Sequence, residues 1–200
     1  MTSSQADRPI GLRERKKART RAAIQDHALR LFIEQGYAET TVEQIAAAAE
    51  VSQSTFFRYF PTKEETVLHD RLDPVLIESF LRQPAELSLL GAFRAAIREV
   101  FERLDPEESE LERARQQLII SIPELRAKLV DEFTTGLAML NDAVAQRTGR
   151  RADDPAVRTW NGAVIGVVVA VFFGAQQDGD PDFVGAMDRA LAQLEEGLPL

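Results

Sequence analysis

The chain has 200 residues, 44% of them hydrophobic, and a formal net charge of −8. It has no cysteine and only two histidines, His27 and His69, which excludes disulfides, thiol catalysis and thiolate metal sites and speaks against a histidine-rich metal centre. The apolar share is enough for a globular core. The N-terminal stretch MTSSQADRPIGLRERKKART is basic but has no apolar h-region, so it does not read as a secretory signal. The longest apolar run, Ala163 to Ala175, has 13 residues, against the roughly 20 needed to span a bilayer. A cytoplasmic chain with no membrane partner is expected.

The charge is unevenly placed. Residues 1–63 carry a net +3 and residues 64–200 a net −11, and the window from Arg8 to Arg21 holds 7 basic residues against Glu14 alone. Such asymmetry fits a basic region that meets a polyanion joined to an acidic body that does not.

In chain order, almost every segment has helical periodicity. A first helix is predicted from about Arg13 to Gln35, with Ile24, Ala28, Leu31, Phe32 and Gln35 on one stripe and Gly36 suited to the left-handed position that ends it. A short second helix carries Val42, Ile45, Ala46 and Ala49, opened by a capping box of Thr41 with Gln44 or of Thr40 with Glu43. Glu50-Val51-Ser52 breaks it. A third helix runs to Phe60 and stops at Pro61, which cannot continue the backbone bonding. Thr62 with Glu65 opens a fourth, kinked or divided by Pro74. The fifth carries Leu90, Phe93, Ile97, Val100, Phe101 and Leu104 on one face. Asp105-Pro106 caps a sixth with Leu111, Ala114 and Leu118, and Pro123 opens a seventh with Leu125, Leu129, Phe133, Leu137, Leu140 and Val144. After the loop TGRRADD, Asp154-Pro155 and Asp180-Pro181 mark an eighth and a ninth. The fold class expected is all-α, with about nine helices.

Two short helices joined by about three residues and anchored by a long one describe a helix-turn-helix. Its second helix would present N-terminal residues to base edges in the major groove. Phe56 and Phe60 are four apart and turn inward with Val51. That leaves Gln53 with Phe57, and Ser54 with Arg58, facing solvent, and Thr55 and Tyr59 on the flank. Such a surface is poor core, but it suits DNA. Amide and guanidinium groups read base edges, an aromatic can touch a thymine methyl, and hydroxyls hold phosphates.

At this point a family resemblance becomes specific. GYAETTVEQIAAAAEVSQSTFFRYFPTKEETVL resembles the DNA-binding domain of the TetR family of bacterial transcription regulators. The match lies in the Gly36-Tyr37 helix end, the Thr40-Thr41 cap, Ile45-Ala46, the Phe56-x-x-Tyr59-Phe60 run and Lys63-Glu64-Glu65. It covers about residues 13–70. The stretches ERKKARTRAAIQDHALRLF and TFFRYFPTKEE are similar to actinobacterial members, some of which look like sensors of acyl-CoA or related lipophilic metabolites. The resemblance implies three segments: a disordered basic arm over residues 1–12, a helix-turn-helix DNA-binding domain over 13–61, and a helical ligand-binding and dimerisation domain over 62–200.

It further implies that Gln53, Ser54, Thr55, Phe57 and Arg58 face DNA. Tyr59, Lys63 and Thr41 would hold backbone phosphates, and the basic stretch from Arg13 to Arg21 would add phosphate or minor-groove contacts. Arg58 stands where the family often has a bulky aromatic or histidine, and Ser54 where it often has proline or glycine. Phe93, Phe101, Arg115, Phe133 and Trp160 are candidates for lining an effector cavity, although plain core, or surface for Arg115, is the simpler reading of each. Val167 and Val171, on the very apolar eighth helix, are candidates for a dimer interface. The function implied is a ligand-responsive regulator, a repressor, that binds a palindromic operator as a homodimer. A small apolar effector, acyl-CoA-like or another lipophilic metabolite, would release it. No cofactor or metal is expected. Neither a nucleophile–base pair nor a His–carboxylate set is present, so an enzyme is not expected. The alternative is a helical dimeric interaction protein in which the helix-turn-helix is structural.

Overall fold

The computed structural model describes residues 11–178 and 182–198, apart from the side chains of residues 130–133, 135 and 175–178. Residues 1–10, nearly all of the expected arm, and the expected Asp180-Pro181 cap therefore lie outside the described residues. Ten helices and no strand occur among the described residues. The chain divides into two compact units between Val67 and Leu68, several residues beyond the expected boundary at 61.

The first unit is built on α1 (Leu12–Gln35), α2 (Val42–Ala48) and α3 (Gln53–Tyr59), and the division falls within the single-turn α4 (Glu65–Leu68). Gly36 ends α1 at φ 92°, a conformation glycine adopts without a Cβ penalty. Thr41 caps α2 through a complete capping box with Gln44, and Ser52 caps α3 by accepting from the Thr55 amide. The turn between α2 and α3 places Glu50 at φ 53°, a left-handed conformation uncommon for a non-glycine residue. Ile24, Ala28, Leu29, Phe32, Ile45, Ala46, Phe56 and Phe60 are buried in this unit.

The second unit contains α5 (Asp73–Arg82), α6 (Leu89–Glu102), α7 (Pro106–Ser121), α8 (Pro123–Thr148), α9 (Pro155–Asp178) and α10 (Phe183–Glu195). Pro74 does not kink a fourth helix. It sits in the first turn of α5, where its missing N–H costs nothing, so the expected fourth helix is two. Asp105 and Glu108 form the capping box of α7. The core gathers Phe80, Phe93, Ile97, Leu140, Val144, Val157, Val164, Met187 and Leu191 from α5, α6, α8, α9 and α10. Arg147 donates to the carbonyls of Gln83 (2.8 Å) and Pro84, tying the end of α8 to the chain just beyond α5.

Among the described residues one helical segment, Pro155–Gly174, is long and apolar enough by composition to cross a membrane, and it begins ahead of the continuous apolar run of Ala163 to Ala175. Its Val157, Val164, Val168 and Val171 face the core of the second unit.

Candidate nucleic-acid face and ligand cavity

On α3, Phe56 is fully buried, whereas Gln53, Ser54, Phe57 and Arg58 are exposed and Thr55 and Tyr59 half-buried. Phe57 is 49% exposed, with its ring edge-on to Phe56 at 5.5 Å. The Arg58 guanidinium lies 5.5 Å from the Tyr59 ring centroid. The Ser52 hydroxyl donates to Thr55 Oγ1 at 3.0 Å and contacts the Ser54 hydroxyl at 2.9 Å, so the start of α3 presents a hydroxyl cluster beside Gln53. Thr41 is exposed at the N-terminus of α2, an end that favours anions.

The basic residues fall into two groups. α1 begins at Leu12, and Arg13 and its basic neighbours through Arg19 are exposed on its first turns, where the predicted first helix put them. Positive charge at a helix N-terminus opposes the helix dipole, and Gly11 supplies no side-chain cap, so a polyanion there would relieve the repulsion. Arg21 turns inward. Its Nη2 donates to the Tyr59 carbonyl at 3.1 Å and its guanidinium lies 5.5 Å from the Phe60 ring, which joins α1 to the end of α3.

Lys63 is likewise engaged. Its ammonium donates to the carbonyls of Tyr37 (2.8 Å) and Thr40 (3.0 Å) and stands 4.2 Å from the centre of the Tyr37 ring. An ammonium has three protons, and two already go to this loop. Sequence reasoning missed both inward roles because each partner is a backbone carbonyl far along the chain.

The second unit holds a cavity of about 190 Å³. Leu68, Leu76, Phe93, Ile97, Phe101 and Leu129 form part of its apolar wall, and Asp70, Asp73, Glu112, Arg115 and Gln116 line its polar part. Among the expected lining residues, Phe93, Phe101 and Arg115 are there. The Phe133 side chain lies outside the described residues. Trp160 is core rather than lining, with its ring stacked on Phe80 at 6.5 Å and edge-on to Phe93 at 6.2 Å.

Arg115 is not a surface residue. It is 6% exposed, and Glu112 is 5% exposed. Arg115 Nε donates to Glu112 Oε2 at 2.9 Å, and Nη2 donates to Glu112 Oε1 at 2.8 Å and to Asp70 Oδ2 at 2.6 Å. Asp70 Oδ1 accepts from the amides of Leu72 (2.8 Å) and Asp73 (3.3 Å). Burial pushes the Asp70 carboxyl up, but the Arg115 charge and these hydrogen bonds outweigh it and hold it below the usual carboxylate range. Burial likewise opposes the charged form of Arg115, and its two carboxylates overcome that and raise it. The signal in the sequence was the i, i+4, i+8 run of Leu111, Arg115 and Ile119, a buried face that shares Leu111 with the expected stripe and leaves Ala114 and Leu118 half-buried at its side.

On α9, Val167 and Val171 are half-buried against the core of their own chain. The helix turns Gly162, Ala163, Gly166 and Ala170 outward, so the exposed apolar face is this small-residue stripe. Among the described residues no group of three or more histidines and carboxylates could hold a metal.

A two-helix motif with an exposed polar and aromatic second helix, joined to a larger helical unit enclosing a cavity, is the architecture of a bacterial one-component regulator. The family model described as bacterial regulatory proteins, tetR family, matches residues 24–69, and the MftR C-terminal domain model matches residues 87–199. The HTH-type transcriptional regulator TcmR of Streptomyces glaucescens is 36% identical over 169 residues, covering 77% of this chain and 75% of that protein. Among solved structures, Thermus thermophilus FadR, a TetR-family repressor in complex with lauroyl-CoA, aligns with a TM-score of 0.56 at 26% identity over 90% of this chain and 95% of that one. The SmeT–triclosan complex aligns with a TM-score of 0.56 at 22% identity over 87% and 90%. The chain belongs to the TetR family of transcriptional regulators, which are DNA-binding regulators and not enzymes.

Proposed function

We propose that this regulator is a repressor that binds a palindromic operator as a homodimer in the cytoplasm and leaves it when a small apolar effector fills the cavity of the second unit. The observation that carries the reading is the exposed face of α3, where Gln53, Ser54, Phe57 and Arg58 stand within residues 1–63, which carry a net +3 in a chain of net −8. A half-exposed phenylalanine beside an arginine suits base edges and a thymine methyl better than water. Thr41, the hydroxyls at the start of α3 and the basic turns of α1 supply phosphate contacts. Lys63 and Arg21 hold the motif together, and Lys63 keeps one proton for a phosphate. The outward Gly162, Ala163, Gly166 and Ala170 face of α9 supports pairing with a second copy, because small residues let two helices approach closely. A two-fold pair supplies two α3 helices for two half-sites about 34 Å apart.

Switching requires the effector to favour one state over the other by a few kcal/mol. The cavity wall starts at Leu68, the last residue of α4. Arg115 holds Asp70 two residues later, so a ligand acts on the stretch of chain that follows the DNA-binding unit. An acyl-CoA-like effector draws support from the lauroyl-CoA held by FadR, and another lipophilic metabolite from the mostly apolar wall. Sheared genomic DNA from the source organism, captured on purified protein at physiological salt and sequenced, tests the reading. A few fragments sharing a palindrome are expected; uniform capture, or none, would overturn it.

A further inference from the structure

We infer that the effector group lodged in the cavity is an apolar body ending in a hydrogen-bond donor, neutral or cationic, and that the same body ending in a carboxylate is rejected. This inference rests on the reading of the cavity as the effector site.

Among the described residues, the polar part of the cavity carries three carboxylates, Asp70, Asp73 and Glu112, against one guanidinium, Arg115. The charge and much of the donor capacity along this wall already go to carboxylate oxygens. Arg115 serves Glu112 twice and Asp70 once. Gln116 Nε2 donates to Glu112 Oε1 at 3.0 Å, and the Leu72 and Asp73 amides donate to Asp70 Oδ1. The spare capacity is on the acceptor side. A carboxylate oxygen accepts about two hydrogen bonds, and among the described residues Asp70 Oδ2 and Glu112 Oε2 each accept one. A ligand N–H or O–H can therefore be satisfied here without breaking a bond. A ligand carboxylate would add a further negative charge to a wall where Arg115 already balances Glu112 and Asp70, and that buried charge would be uncompensated. The first amides of α5 offset part of the charge on Asp70 and Asp73, but a helix end contributes only about half a unit.

Size narrows the class further. A cavity of about 190 Å³ compares with an apolar cavity of about 150 Å³ that takes benzene. One or two rings with a single polar end fit that space.

Three probes with one body separate the alternatives: 1-naphthylmethylamine (a cation at pH 7), 1-naphthylmethanol and 1-naphthoate. Their affinities for the full chain can be measured by calorimetry and by fluorescence of the single tryptophan, Trp160, which packs on Phe93 of the cavity wall. The amine and the alcohol are expected to bind at least about tenfold tighter than the naphthoate, a difference of about 1.4 kcal/mol. Glu112→Gln keeps a carbonyl for Arg115 and should narrow the gap between amine and naphthoate at least threefold. That narrowing separates cavity binding from general attraction of a cation to a chain of net charge −8. If Glu112→Gln does not fold, Asp73→Asn makes the same comparison.

Naphthoate binding as tightly as the amine would overturn the inference and make Arg115 an anion anchor. No binding of any probe at millimolar concentration would overturn it too. Amine binding that leaves DNA affinity unchanged would uphold the cavity chemistry and remove the release step of the proposed function.

Discussion

Replacing Arg115 with methionine takes the counter-charge from two carboxylates at once. Arg115 and Glu112 have side chains 7% and 6% exposed and Asp70 30% exposed, with Arg115 Nη2 at 2.8 and 2.6 Å from their oxygens. Removing one partner of a buried ion pair costs about 3–5 kcal/mol, a large part of the roughly 5–15 kcal/mol that stabilises a typical domain. The loss should depend on pH. In the native protein Asp70 titrates below its ordinary range, so its contribution is present above the unfolded pKa and is lost as pH falls through the folded value. In Arg115→Met the lowering by the guanidinium is gone and burial acts with less opposition, so the folded pKa of Asp70 rises relative to the native protein. The deficit should therefore be largest near pH 7 and shrink toward acid. Urea denaturation read by Trp160 fluorescence, at fixed protein concentration and several pH values, measures it. The triple variant Asp70→Asn/Glu112→Leu/Arg115→Met should recover much of the loss, because apolar replacement of a buried ion set is often near neutral. A single-variant loss below about 1 kcal/mol, equal at pH 4 and pH 7, would refute the argument.

Other perturbations separate scaffold from contact face. Lys63→Ala should lower the stability of the first unit by about 2–4 kcal/mol, since it leaves two carbonyls without their charged donor and removes a cation–π contact; thermal denaturation with unchanged Tm would show Lys63 to be a surface residue. Glu50→Gly should leave stability unchanged or raise it by up to about 1 kcal/mol, because glycine adopts φ 53° without the left-handed cost, and a clear loss would place an unrecognised role on the Glu50 side chain. Phe57→Ala should change stability by at most about 1 kcal/mol, given its 49% exposure, and yet weaken operator binding at least tenfold in anisotropy titrations. Equal binding would remove Phe57 from the contact face.

The sequence disclosed what is local. Thr41 with Gln44 and Asp105-Pro106 with Glu108 announced helix starts, because caps act within four residues, and Gly36 announced an end. The division of α3 into a buried Phe56–Phe60 side and an exposed Gln53–Phe57 side followed from helical spacing alone. What stayed hidden depends on partners distant in the chain. Lys63 and Arg21 carry the composition of phosphate contacts, yet carbonyls 26 and 38 residues away draw them inward. Arg115 read most simply as surface by its charge, whereas Asp70, 45 residues away, and Glu112 make its burial in the cavity wall tolerable. Val167 and Val171 were apolar on a helix apolar nearly all round, so hydropathy could not say which side met the chain's own core and left Gly162, Ala163, Gly166 and Ala170 outside.

Selection of random-sequence duplexes by the native protein and by Gln53→Ala, with the bound pools sequenced, tests most directly the claim that two copies of α3 read one palindrome. The account predicts a shared palindrome whose preference relaxes in Gln53→Ala at two positions related by the two-fold axis, one in each half-site, with a discrimination loss of about 1–3 kcal/mol per contact. Preferences unchanged at every position, or relaxed in one half-site only, would contradict it.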